Sequence, residues 1–136
     1  MTRQDMLNRL YEENGLTAED VYNHKHYKII TRAGIDKIQA NRGIEIQYKV
    51  IECKPDFAVV QAMARIGDDS VIQTFGSALK GDYKTGNCNT WYIMEMAEKR
   101  AMSRAVLKLA GLYAVGDVFG EDEAEAFKKS KNQQTI

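Results

Sequence analysis

Apolar and polar positions alternate strictly between Ile44 and Val50. Ile44, Ile46, Tyr48 and Val50 are separated by Glu45, Gln47 and Lys49, the two-residue period of a strand with one buried face. Lys54-Pro55-Asp56 interrupts the run and turns the chain. Phe57 to Ile66 then predicts a second strand, with Ala58, Val60, Ala62, Ala64 and Ile66 on one side and Phe57, Val59 and Met63 on the other. Apolar residues on both sides predict a central strand covered on both faces. Gly67-Asp68-Asp69-Ser70 supplies a hairpin turn and Val71 to Phe75 a third strand, completing an antiparallel meander.

Beyond Asn89, a plausible N-cap, the period lengthens to that of a helix over Thr90 to Leu112, a rod of roughly 34 Å at about 1.5 Å per residue. Met94, Ala97, Ala101, Ala105, Leu109 and Leu112 gather on one arc with Ile93 at its border, and the small alanines allow close approach to a sheet. Glu98 falls inside this arc, where a carboxylate needs a partner or an interface. Arg100, Arg104 and Lys108 recur every four residues on the neighbouring stripe. Their stems can lie along apolar surface while their heads reach phosphates; a solvated face or salt bridges between subunits is the alternative. Glu95 and Lys99 form an ordinary i,i+4 pair.

Upstream, Thr2 to Glu13 carries Leu7, Leu10 and Tyr11 and stops at Asn14-Gly15, as a short amphipathic helix does. Thr17, followed by Glu19, Asp20 and Val21, predicts the capped start of a turn or short helix. Thr31 caps a further helix through Asn41, with Ile35 and Ile38 inward and Gly43 as its stop, although Gly34 weakens it. The expected fold is α+β: a three-stranded antiparallel β-meander packed by one long C-terminal helix, with shorter N-terminal helices. Residues 1–120 are expected to form one domain, and residues 121–136, acidic and then basic, a disordered tail.

Composition narrows the classes. A chain of 136 residues with 44% hydrophobic content supports one core. It has no apolar run near the roughly 18 residues of a membrane span. Met1 to Gly15 is too charged for a signal peptide, so a cytoplasmic location is expected. Cys53 and Cys88 lack metal or redox spacing and predict two buried thiols. Net charge is zero, yet residues 24–110 hold fourteen Lys or Arg against nine Asp or Glu, while the flanks are acidic. That asymmetry predicts a basic working surface with acidic edges.

From Gly76 to Asn89 the composition turns to Gly, Ser, Lys, Asp, Asn and Tyr, which predicts a mobile surface loop. Lys80 and Lys84 flank Tyr83 there, and cations around an aromatic suit phosphates and unpaired bases; a solvated loop with the Tyr tucked against the body is the plainer alternative. Gly81 and Gly86 have phosphate-loop spacing without its Lys, which excludes a nucleoside triphosphatase. His24 and His26 suggest no triad or metal cluster, and Asp56, Asp68, Asp69 and Asp82 all occupy turns, where Asp is ordinary. No catalytic or metal residue, cofactor or small-molecule substrate is indicated.

The order of helix, meander, glycine-containing loop and long helix, with the run from Tyr92 to Gly111, resembles the single-strand annealing proteins of phages and mobile elements. That superfamily includes the essential recombination function proteins and the eukaryotic annealing mediators. The resemblance covers Thr31 to Gly116 and centres on Ala97-Glu98-x-x-Ala101-x-x-x-Ala105 with interspersed Arg and a terminal Gly111. It implies a β-β-β-α unit, assembly into rings or filaments, and a basic groove for single-stranded DNA. Arg100, Arg104 and Lys108 would be the helix contribution and Lys80 and Lys84 the loop contribution. The expected function is therefore non-enzymatic single-stranded DNA binding and strand annealing in recombination and repair, by a homo-oligomer. The runner-up is an oligomeric scaffold or regulator whose charged helix face and Glu98 bind a protein partner; a metal-dependent nuclease is a third option.

Overall fold

A computed structural model describes residues 2–82 and 84–124. In chain order its elements are α1 (Arg3–Glu13), β1 (Val21–His24), β2 (Tyr27–Ile30), α2 (Arg32–Arg42), β3 (Ile44–Lys54), β4 (Phe57–Ile66), β5 (Ile72–Leu79), α3 (Ile93–Leu109), α4 (Leu112–Val115) and β6 (Val118–Gly120). The alternating segment becomes β3, which pairs antiparallel with β4, and β4 pairs antiparallel with β5. The register slips between Val50 and Glu52, making a bulge at Ile51.

Helix α3 lies on β4 and β5 through its alanines, and Ala97, Ala101 and Ala105 are wholly buried. The closest approach is at Gly76, where a Cβ would stand 2.1 Å from the Ala97 carbonyl oxygen and 2.4 Å from the Ala101 nitrogen. Thr74 secures the contact by donating its hydroxyl to the Ala101 carbonyl at 2.8 Å. On its other side α3 meets α2, α4 and β6, burying Met96, Ser103, Val106 and Leu107. The helix is therefore central, and one apolar cluster runs from Leu7 to Val118.

Several expectations are corrected. β4 is covered on one face only: Val59, Gln61 and Met63 on its other side are half-buried and Arg65 is exposed. β5 continues to Leu79, placing Gly76 inside a strand rather than a loop. α3 starts at Ile93 behind Tyr92, which makes no side-chain cap, so Asn89 is not its N-cap. It ends before Gly111, whose φ of 82° redirects the chain into α4. It is not C-terminal, because α4 and β6 follow it. Of the turn or short helix expected after Thr17, the structure has the turn, leading into β1, and it adds a second sheet, β1-β2-β6. In it β2 and β6 run parallel, with Lys28 beside Val118 and Ile30 beside Gly120. Cys88 is buried but Cys53 is exposed. Residues 121–124 are helical, with Asp122 buried and bound to Arg32 at 2.6 Å, so this part of the expected tail is ordered. The remainder of that tail lies outside the described residues.

Asp20 closes the turn before β1. Its buried carboxylate accepts from the Thr17 amide at 2.9 Å, the Thr17 hydroxyl at 3.2 Å and Lys37 Nζ at 2.7 Å. The Lys37 hydrogen bond and then the Thr17 amide hold its pKa below the usual carboxylate value. A depressed folded-state pKa stabilises the protein above the unfolded pKa, and that contribution disappears as pH falls through the folded value. Asp20→Asn is expected to cost roughly 1–3 kcal/mol at neutral pH, with the difference from wild type narrowing below about pH 4 in urea titrations.

Candidate nucleic-acid interface

The cation stripe of α3 lies against the outer margin of β5. Arg100, only 4% exposed, donates from Nη1 to the Ser77 carbonyl at 2.8 Å and Asn87 Oδ1 at 3.2 Å. Its Nη2 reaches the Asn87 carbonyl at 2.8 Å and its Nε the Asp122 carbonyl at 3.3 Å. Arg104 donates from Nη1 to the Phe75 carbonyl at 2.6 Å and from Nε to Glu123 Oε1 at 2.8 Å. The Leu79 carbonyl accepts from the amides of Asn87 at 2.9 Å and Cys88 at 3.0 Å. Phe75, Ser77 and Leu79 are alternate residues whose carbonyls point away from β4, and all three are occupied. Four residues of helix advance about 6 Å and two residues of strand about 6.8 Å, so arginines spaced by four can cap carbonyls spaced by two. The expected three-cation phosphate ridge is corrected accordingly. Arg100 is sealed in the fold, Arg104 is shared with the strand edge, and Lys108 is exposed.

Arg104 and Lys108 nevertheless line an open groove of about 530 Å³ together with Thr74, Phe75, Tyr113 and Ala114. Phe75 borders the groove through the carbonyl that Arg104 caps; its side chain, 46% exposed, lies on the opposite face of β5 from Thr74 and Gly76, which meet α3. The Glu123 side chain, 10% exposed, bridges Arg104 and the Tyr113 hydroxyl, which donates to its Oε1 at 3.0 Å. Burial, followed by the Glu123 charge, raises the Tyr113 pKa, so this phenol stays neutral and can donate. The groove thus offers two cations and the Tyr113 ring, with the Glu123 carboxylate bound to Arg104 and Tyr113 beside it.

The loop after β5 carries the other expected contacts. Lys80 and Lys84 are exposed, and Tyr83 lies outside the described residues. The structure fastens this loop at its base: the Asn87 side chain accepts the Leu79 amide at 2.7 Å, Gly81 donates to the Cys88 carbonyl at 2.8 Å, and Arg100 holds Asn87. The Asp82 carboxylate accepts the Lys84 amide at 2.9 Å and the Thr85 amide at 3.1 Å, bonds that lower its pKa.

Sequence reasoning missed three aromatic residues: Phe75, Tyr113 and Trp91. Trp91, the chain's single Trp, is 81% exposed between the loop and α3 and stands edge-on to Tyr92 at 5.6 Å. Its place between a polar run and the first apolar turn of the helix was the available signal. Glu98 is exposed and makes no ion pair among the described residues. Burial, then the Glu98 and Asp36 carboxylates, push the Tyr48 phenol up to about 12.

His26 stacks on Tyr27 at 4.1 Å with Asp117 4.0 Å away. Among the described residues no group of three or more His, Cys, Asp or Glu could hold a metal ion. No helix there is long and apolar enough to cross a membrane. Comparison of the chain with family models, curated proteins and solved structures finds no match.

Proposed function

We propose that this chain is a non-enzymatic cytoplasmic protein that binds single-stranded DNA and promotes strand annealing as a homo-oligomer. The observation that carries the reading is the open groove that Arg104 and Lys108 share with Tyr113. Cations there neutralise phosphates and release counterions, while the half-buried Tyr113 ring offers an aromatic contact to an unpaired base of any sequence. Lys80 and Lys84, exposed on the fastened loop beyond the far end of β5, are further cations for the same strand. Arg100 positions that loop through Asn87 and is given no contact with DNA. Neutralising two strands at once would lower the repulsion that opposes their pairing, which is the step annealing needs.

Anisotropy of labelled oligo-dT at two salt concentrations tests the reading, and no binding at low salt overturns it. Lys108→Ala is expected to weaken binding several-fold and reduce the salt slope by about 0.7, independent of sequence. Glu123→Gln, which removes the carboxylate competing for Arg104, is expected to tighten binding on the order of threefold. Unchanged affinity in both variants would clear the groove of this role. The second reading, a scaffold that binds a protein through the charged helix face, draws on Glu98, exposed without an ion pair among the described residues. It predicts no response to oligo-dT at any salt.

A further inference from the structure

The β3-β4-β5 sheet has two margins, and they differ. Along β5 the outward carbonyls of Phe75, Ser77 and Leu79 are capped by Arg104, Arg100 and the amides of Asn87 and Cys88. Alternation carries across the sheet: Gln61 and Met63 direct their main-chain groups toward their β3 neighbours Lys49 and Gln47. The main-chain groups of Ile46, Tyr48 and Val50 therefore face the open side of β3. Ile44, at the start of the strand, already gives its carbonyl to Gln39 at 3.3 Å. Around this margin Tyr48 is 39% exposed and Val50 54% exposed, because α3 covers β4 and β5.

We propose that β3 is a docking edge for a second copy of this chain, paired antiparallel about a two-fold axis at Gln47 to form a six-stranded sheet. With the axis there, Glu45 stands opposite Lys49 of the second copy, and the reciprocal pair forms beyond the axis. Ile46 meets Tyr48 and Ile44 meets Val50, so apolar side chains face apolar ones on the helix side. Moving the axis one residue either way dissolves both ion pairs and sets Lys49 against Gln47 or Gly43. The bulge at Ile51 ends the straight segment available for pairing.

Because β5 is capped, β3 cannot join β5 of another copy head to tail. Pairing of β3 with itself uses the same surface twice and closes at two chains. The edge is short, so association is concentration-dependent, with a dissociation constant on the order of micromolar. The inference does not rest on nucleic-acid binding, since the Arg104 groove lies at the opposite margin. A dimer built this way carries one such groove at each outer end.

Sedimentation velocity over a wide concentration range tests the proposal. Wild type is expected to pass from monomer to dimer and stop there. Tyr48→Pro deletes an N–H that faces the open side and leaves the sheet's own ladder intact, so it should remain monomeric with an unchanged circular dichroism spectrum. Glu45→Lys and Lys49→Glu each put like charges opposite one another and should weaken self-association at least tenfold. Mixing these two variants should restore the dimer, because each then supplies the charge the other lacks. Monomer at every concentration, assembly beyond the dimer, or a folded Tyr48→Pro dimer would overturn the proposal. Failure of the mixed variants to rescue association would overturn the Gln47 register.

Discussion

Gly76→Ala is expected to destabilise the protein by about 3 kcal/mol or more, a large effect for one added methyl group. The new Cβ would fall 2.1 Å from the Ala97 carbonyl oxygen and 2.4 Å from the Ala101 nitrogen. Both atoms belong to the helix backbone, which cannot turn aside as a flexible side chain would. Relief requires lifting α3 from β5, which stretches the 2.8 Å bond from Thr74 to the Ala101 carbonyl and opens the packing over Ala62 and Ala78. With a urea m-value of about 1–3 kcal/mol/M, the midpoint should fall by roughly 1–3 M. An unchanged midpoint would mean that the helix does not bear on the strand at this residue.

Arg100→Met carries the second large effect, expected at roughly 3–5 kcal/mol. Methionine keeps much of the apolar stem but none of the four donated hydrogen bonds. Carbonyls of Ser77, Asn87 and Asp122 would lose a charged donor, and no water-filled space replaces a guanidinium that is 4% exposed. The loss should be visible locally as well as globally. Amides between Leu79 and Cys88 should exchange faster than those of β4, since the Asn87 fastening is released. Arg100→Lys should recover little, because an ammonium cannot reproduce the planar fork that reaches three carbonyls and the Asn87 side chain. Uniform exchange across the sheet in the Met variant would refute Arg100 as the fastening of the loop.

These two residues also mark what the chain's pattern made legible. Short-range signals carried well: the alternation of β3, the turn after Lys54, and α2 between its Thr31 cap and Gly43 stop. The alanine ladder of α3 correctly faced the sheet. The opposite side of α3 is buried too, through Met96, Val106 and Leu107, and its apolar residues are interrupted by polar ones that blur the helical period. The stripe of Arg100 and Arg104 was visible, but not the surface it faces. A strand margin and a nucleic-acid backbone both present rows of partly negative oxygens, and helical spacing alone does not distinguish them. Burial decides for Arg100, whereas Arg104 and Lys108 keep access to the groove. The β1-β2-β6 sheet was hidden for another reason: its strands are only three or four residues long, and β2 finds β6 across most of the chain.

That distant pairing sets a timetable for synthesis. Until Val118 to Gly120 leave the ribosome, β2 has a neighbour on one side only, and Arg32 lacks the Asp122 carboxylate it grips in the finished fold. At translation rates of about 5–20 residues per second, the nascent protein spends seconds with the meander complete but its opposite layer unsealed. Pairing of β6 with β2 is therefore expected among the last steps of folding, since a three-residue strand must emerge before it can fill the place beside a segment made some ninety positions earlier.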